Sequence, residues 1–176
     1  YMGEIIKLPG LIDLHVHLRE HSTAKSETIE NGSFSASRGG YSLICDMPND
    51  QGNPTWTIKN IESKIVTSKR EARITTLFYA GSQPESNNID QLEGMSNAGA
   101  VGLKLYTAPT TGNENDYAAE EFEEIVKEWH RVAPEKPIML HSGKNNLKDF
   151  IELVCDKNSH HLHVCHVHNP EDVKMI

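Results

Sequence analysis

The sequence predicts an α/β protein with a parallel sheet, and more specifically part of a closed (β/α)8 TIM-type barrel. Six short apolar runs rich in Val, Ile, Leu and Tyr recur along the 176 residues, with helical or polar stretches between them. Their spacing of about 30 residues is the length of one strand–crossover–strand unit. An open doubly wound sheet would usually have a glycine-rich phosphate turn after its first strand, which is missing here, so the closed barrel is favoured.

The predicted elements follow in chain order. Strands are predicted at residues 11–16, 41–47, 74–80, 100–106, 137–141 and 162–167. Apolar residues three and four positions apart predict amphipathic helices at 58–69, 118–131 and 147–154, which would cover the sheet. Turn-forming residues predict loops at 51–54 and 109–116. A complete barrel needs about 250 residues, so we expect residues 1–176 to form a single domain of about six β/α units.

Composition narrows the classes of partner. A net charge of −8 argues against nucleic acid, whose phosphates require a basic surface. No apolar run approaches the roughly 20 residues of a membrane span, and no signal peptide is recognisable, so we expect a cytoplasmic protein without a membrane partner. Cys45, Cys155 and Cys165 lie in apolar runs and are predicted to be reduced core thiols. A partial barrel would expose strand edges, which favours a homo-oligomer.

The first predicted strand leads into two histidines. Residues 8–12 are mostly apolar and predict a buried strand, and His15 and His17 follow on the same face because side chains at i and i+2 point the same way. Such a pair also occurs on exposed strands. The apolar run and the nearby Arg19 favour a metal site, and a metal beside an arginine indicates hydrolysis of an anionic substrate.

Polar residues also end the other predicted strands, where the active site of a β/α barrel lies. His141 ends the fifth strand, and His166 ends the sixth. Each alone is more typical of a core histidine, but together with His15 and His17 they predict a site for two metal ions. Zn²⁺ suits these ligands best, with manganese, cobalt and iron as alternatives. Spacing alone does not separate His166 from His168.

Lys104 is unusual because it lies inside an apolar strand, and few lysines are fully buried without a partner. A desolvated lysine has a lowered pKa, so it could act as a nucleophile or base, or add carbon dioxide to become a carbamate that bridges two cations. Two structural alternatives remain open. The ammonium could extend out of the barrel mouth, or it could pair with Asp46.

Four runs of sequence resemble dihydroorotases, which are cyclic amidohydrolases of pyrimidine biosynthesis. They are PGLIDLHVHLRE at 9–20, DMPN at 46–49, GLKLY at 102–106 and CHV at 165–167. Hydantoinases and allantoinases share the first run. The arginine after His-x-His-Leu, together with Met-Pro-Asn, is more specific to dihydroorotases. The similarity extends in the same order along nearly the whole chain.

The resemblance implies a barrel of the metal-dependent amidohydrolase kind with two Zn²⁺ ions at its mouth. By matching motifs, His15 and His17 would bind the first ion, and His141 and His166 the second. Carboxylated Lys104 and a hydroxide would bridge the two ions.

The resemblance also implies a substrate and a reaction. Arg19 and Asn49 would hold the substrate carboxylate during reversible cyclisation of N-carbamoyl-L-aspartate to L-dihydroorotate. The family's general acid is an aspartate after the last barrel strand, which would lie beyond Ile176, so no catalytic acid is assigned within the chain and we expect these residues alone to be poorly active. The family often has a glutamate two residues after the histidine matched by His141, where this chain has Gly143.

Two other functions are compatible with the same residues. The first is a hydantoinase- or allantoinase-like hydrolase, against which Arg19 and Asn49 argue. The second is a non-catalytic dihydroorotase-like domain that serves as an assembly partner, for example for a carbamoyltransferase.

Overall fold

The computed structural model describes residues 6–24, 26–141, 143, 147–156, 161–167 and 170–176. Strands and helices alternate along them. In chain order they are β1 (Leu11–Val16), α1 (Ile29–Arg38), β2 (Tyr41–Asp46), α2 (Ile58–Glu71), β3 (Thr75–Phe78), β4 (Ala80–Ser82), α3 (Leu92–Ala98), β5 (Leu103–Tyr106), α4 (Glu123–Val132), β6 (Ile138–His141), α5 (Leu147–Ile151), β7 (Leu162–Val164) and α6 (Pro170–Met175). Short 3₁₀ turns precede α3 and α4, and a π-helical turn follows α5.

All strand pairs are parallel, and neighbours in the sheet are neighbours in sequence. The pairs form one group in the order β1-β2-β3 and a second in the order β4-β5-β6-β7. Tyr79 alone separates β3 from β4, and its amide donates to the carbonyl of Asp46 at 3.2 Å, while the amide of Val101 donates to the carbonyl of Phe78 at 3.0 Å. Within the described ranges the strand order does not reverse, so these strands have no switch point of the kind that defines a doubly wound sheet.

The predicted α/β pattern is confirmed. Six predicted strands correspond to β1, β2, the β3–β4 pair, β5, β6 and β7, and the predicted helices correspond to α2, α4 and α5. Three helices were missed: α1, α3 and α6. The α1 sequence includes Gly32 and three serines, so it lacks a clear apolar stripe. Its start is stabilised instead by Thr28, whose side chain accepts a hydrogen bond from the amide of Asn31.

The prediction that the first strand is buried is wrong. Leu11, Ile12 and Leu14 are 53%, 60% and 46% exposed. Among the described residues β1 pairs only with β2, so one edge of this strand has no neighbour and its apolar side chains remain accessible. The residue pattern correctly predicted a strand at this position. Its burial, however, depends on which element lies against it.

The two faces of the sheet differ in what they bury. Side chains such as Ile44, Leu103 and Leu105 belong to the large apolar core, which also includes Trp129 of α4 and Phe150 of α5. Burying each such side chain contributes roughly 1.5–3 kcal/mol.

The alternating positions point to the opposite face. Cys45, Met47, Tyr79 and Met139 form a smaller cluster there, with Cys165 packed against it. The three cysteines are free thiols, as predicted. No helix among the described residues is long and apolar enough to cross a bilayer.

Candidate active site

The end of β1 and the loop after it contain three of the predicted site residues. His15 is half-buried and His17 is more exposed, and their ring centroids lie 5.2 Å apart. Arg19 has a φ of 56°, in the left-handed region that non-glycine residues rarely adopt. Its guanidinium donates to the backbone carbonyl of Asn49. The first strand end therefore lies directly against the segment that follows β2.

The histidines from the far end of the chain lie beside this loop. The His166 ring centroid is 5.1 Å from that of His15 and 5.0 Å from that of His141. For a tetrahedral Zn²⁺ with Zn–N bonds of about 2.1 Å, two bound imidazoles would have centroids about 5 Å apart. The structure thus brings the four predicted histidines together in the order His17, His15, His166, His141. His168, the alternative to His166, lies outside the described residues.

Each of these imidazoles lies close to one or two others, but the four rings do not surround a common point. Within the described ranges, no group of three or more His, Cys, Asp or Glu side chains is set to hold a metal ion. The distances between neighbouring rings therefore suit two imidazoles that bind the same metal ion. In the part of the chain that the structure describes, three or more ligands do not converge on a single point.

The environment keeps the first-strand imidazoles neutral. Desolvation, followed by the nearby positive charge of Lys104, lowers the pKa of His15 to about 3. The pKa of His17 falls to about 4, mainly through desolvation and then through Arg19, although a hydrogen bond with the Asn49 side chain acts in the opposite direction. Desolvation acts on His17 even though part of its ring reaches solvent. Neutral imidazole is the form that binds metal ions.

Lys104 extends from β5 into the same space and is 2% exposed. Its Nζ lies 2.7 Å from Sγ of Cys165 and 5.6 Å from the centroid of the Tyr106 ring. Desolvation lowers the pKa of Lys104, and the contact with Cys165 only partly opposes this effect. The alternative in which Lys104 extends into solvent is therefore wrong.

The alternative in which Lys104 pairs with Asp46 is also wrong. Asp46 binds a different lysine, Lys64 of α2, whose Nζ is 2.6 Å from Oδ2 of Asp46. Asp46 does lie at the carboxyl end of β2, as expected. The sequence alone could not show that Lys64, on the neighbouring helix, forms the ion pair with Asp46.

The two residues predicted to hold a carboxylate are in contact with each other. Asn49 is 5% exposed, its backbone carbonyl accepts from Arg19, and its Nδ2 donates to the carbonyl of Thr111 at 3.2 Å. A cationic fork and a side-chain amide therefore lie next to His17, at the edge of the histidine group. This arrangement suits a planar anion.

Sequence reasoning assigned no role at this site to four polar residues: Lys64, Asp50, His163 and Cys165. Lys64 and Asp50 form a buried ionic group with Asp46, while His163 and Cys165 approach Lys104. Desolvation and the charge of Lys104 lower the pKa of His163. A signal for Lys64 was available, since it falls three residues after Ile61 on the buried side of α2, where a lysine requires a partner.

A family model described as "Dihydro-orotase-like" matches residues 3–106, and the chain belongs to this family. It is 31% identical over 98% of its length to the multifunctional protein CAD of Squalus acanthias, of which it covers 7%. It is 30% identical over 81% of its length to a probable allantoinase of Oryza sativa, covering 28% of that protein. A dihydroorotase of Staphylococcus epidermidis is 28% identical over 96% of the chain, with 44% of that protein covered.

Solved structures show the same fold. An inactive dihydroorotase-like domain of a CAD-like multifunctional protein from Chaetomium thermophilum matches 97% of this chain and 48% of that one, with a TM-score of 0.75 and 21% identity. Dihydroorotase from Saccharomyces cerevisiae in complex with 5-fluoroorotic acid matches 95% of this chain and 50% of that one, with a TM-score of 0.68 and 22% identity. The chain spans less than half the length of each curated relative named above.

Proposed function

We propose that the full-length protein is a dihydroorotase, which cyclises N-carbamoyl-L-aspartate reversibly to L-dihydroorotate with loss of water. The observation that carries this proposal is the contact between Arg19 and Asn49 beside His17. Carbamoyl aspartate and dihydroorotate both bear a carboxylate that the cyclisation leaves intact, and a guanidinium can bind it through paired hydrogen bonds. Family membership supports a cyclic amidohydrolase.

The proposal also concerns the fold of the whole catalytic domain. We propose that the six β/α units form part of a (β/α)8 barrel. The sequential parallel order supports this, as does the 5.1 Å approach of His15, on β1, to His166, just after β7. An open flat sheet would separate its first and last strands by several strand spacings of about 4.8 Å each, so the sheet must curve strongly.

The donor set fits two Zn²⁺ ions. Neutral imidazoles of His15 and His17 would hold one ion, those of His141 and His166 the other, and a carbamate on Lys104 would lie between them. When bound, such ions make water more acidic and polarise a carbonyl group. The lowered pKa of the buried Lys104 favours the neutral amine, which adds carbon dioxide to give the carbamate and one proton.

The remaining residues orient the substrate. Arg19 binds the carboxylate, and the Asn49 amide, held by Thr111 on one side, completes its contacts. Hydrolysis of the ring amide requires a proton for the departing nitrogen. The family resemblance implies that an aspartate beyond Ile176 donates it, and the chain's own role is then to fix the ring and the metal ligands.

Substrate choice tests this proposal. The full-length protein, loaded with Zn²⁺, is given L-dihydroorotate, hydantoin and allantoin in parallel. We expect turnover of dihydroorotate, with the reverse reaction from carbamoyl aspartate. Turnover of hydantoin or allantoin alone would instead support the hydrolase class that the 30% identical allantoinase relative represents.

A second candidate is a non-catalytic assembly domain, for example the neighbour of a carbamoyltransferase in a multifunctional chain. The relative from Squalus acanthias is described as multifunctional, and the Chaetomium thermophilum domain as inactive. Metal analysis separates the two candidates. A catalytic site should purify with between one and two Zn²⁺ per chain, whereas a domain that only assembles should contain no stoichiometric metal.

A further inference from the structure

A buried ionic group lies beneath the candidate carboxylate site, and we name its three members, Lys64, Asp46 and Asp50, the ion triad. Nζ of Lys64 is 2.6 Å from Oδ2 of Asp46 and 2.5 Å from Oδ2 of Asp50. All three side chains are at most 1% exposed. Desolvation by itself lowers the pKa of Lys64, but the two carboxylates outweigh it and the net pKa is raised, so the lysine stays charged.

The triad encloses the segment that contains Asn49. Asp46 is the last residue of β2, and Asp50 directly follows Asn49, so one ammonium binds both ends of the turn Met47–Pro48–Asn49. The hydroxyl of Thr55 also donates to Oδ2 of Asp50, at 3.4 Å. The Asn49 backbone is therefore held from both directions by one lysine.

The same triad also reaches the loop after β1. Oδ1 of Asp46 accepts a hydrogen bond of 2.8 Å from the backbone amide of Leu18, which is 3% exposed. Leu18 stands between His17 and Arg19 in the chain. Arg19 adopts a left-handed φ of 56°, a conformation that persists only where the surrounding structure enforces it.

We propose that Lys64 is a positioning residue for the carboxylate site: through Asp46 and Asp50 it sets Arg19 and Asn49 at the spacing that binds the substrate anion. Lys64 lies on α2 and acts only through the two aspartates. The proposal rests on the proposed function for its substrate. Its structural part, control of the Leu18–Arg19 backbone, does not depend on that function.

The experiment compares Lys64→Met with Lys69→Met, a matched change at an exposed lysine on the same helix. Hydrogen exchange is measured at the Leu18 amide and expressed relative to the Leu103 amide, which donates to Pro137 in the other half of the sheet. The ratio cancels any loss of global stability. We expect at least a tenfold relative acceleration at Leu18 in Lys64→Met and none in Lys69→Met.

Kinetics on the full-length protein give the second readout. In Lys64→Met we expect the KM for dihydroorotate to rise at least tenfold, kcat to stay within threefold and the metal content to be unchanged. An unchanged exchange ratio together with an unchanged KM would overturn the proposal. Lys64 would then only neutralise the two buried aspartates. If Lys64→Met does not fold, Lys64→Gln, which removes the charge but can still donate a hydrogen bond to an aspartate, is measured, and both readouts are expected to change in the same direction.

The two proposals can fail separately. If the wild-type protein does not turn over dihydroorotate but the relative exchange at Leu18 still accelerates in Lys64→Met, the proposed function falls and the positioning role stands. If the wild type is active while neither the KM nor the exchange ratio responds, the positioning role falls alone.

Discussion

Among the residues that the structure describes, two lysines are almost completely buried, and their surroundings differ. Lys64 is 1% exposed and lies between two carboxylates. Lys104 is 2% exposed, and its Nζ contacts Sγ of Cys165; among the described residues no carboxylate forms an ion pair with it. The first lysine has a raised pKa and the second a lowered one.

The comparison separates a lysine that keeps its charge from one whose neutral form is favoured. Burial disfavours the charged form of any lysine. Where two aspartates compensate for the lost hydration, the charge persists and can hold neighbouring segments together. Where only a thiol is available, the neutral amine becomes accessible, and this is the form that can react with carbon dioxide. The same residue type at similar burial therefore has its pKa shifted in opposite directions, and the neighbouring side chains decide which.

The largest expected effect concerns Lys104. In the full-length protein we expect Lys104→Ala, which removes the proposed carbamate, to lower the metal content and to lower kcat/KM by at least about 1000-fold, or about 4 kcal/mol of activation free energy. Metal analysis and steady-state kinetics measure both effects. Added acetate, which supplies a free carboxylate, should restore part of the rate. An unchanged rate and metal content would refute the carbamate role.

The next effect concerns folding. We expect Lys64→Met to lower the free energy of unfolding by about 3–5 kcal/mol, because it leaves two buried carboxylates without their cation. Lys104→Met replaces a buried amine that lacks a carboxylate partner with an apolar side chain of similar volume, and should change the same quantity by less than about 1 kcal/mol. Urea denaturation of both variants measures the contrast. Equal losses of unfolding free energy in the two variants would contradict the distinction between the two lysines.

A smaller effect is expected at the residue that the ion triad helps to place. Arg19→Met should raise the KM for dihydroorotate by an amount worth about 1.5–3 kcal/mol, the contribution of a hydrogen bond to a charged group. Metal content should be unchanged, since Arg19 is not among the proposed ligands. Arg38→Met, at an exposed position of α1, is the control. Metal loss with intact substrate binding would contradict the assignment.

The smallest effect tests whether substrate binding depends on the stability of α2 as a whole rather than on Lys64. The Thr57 side chain accepts a hydrogen bond from the Asn60 amide at the start of α2, so Thr57→Ala should cost about 1 kcal/mol of unfolding free energy. The KM should not change, because the ion triad remains. Thr28→Ala, which removes the equivalent cap of α1, serves as the matched variant. A rise in KM as large as that of Lys64→Met would assign the lysine's effect to general helix loss.

Much of the candidate site could be predicted because its residues follow strand ends. His15 and His17 are two residues apart on one strand, and in a parallel sheet the carboxyl ends meet at one edge, so their approach to His141 and His166 followed from the strand assignment. Cys165 could not be placed in the same way. Its apolar surroundings in sequence indicated an inert core thiol, whereas it contacts Lys104.

The sequence by itself determined the alternation of strands and helices, the parallel order, and the set of side chains that gather at one edge of the sheet. These features depend on local periodicity and on chain direction. Only the tertiary structure decided that β1 is exposed, that Asp46 binds Lys64, and that Lys104 has a thiol for a partner. Each of these depends on which distant segment fills a given space, and the energy of a buried charge is set by those neighbours rather than by its place in the chain.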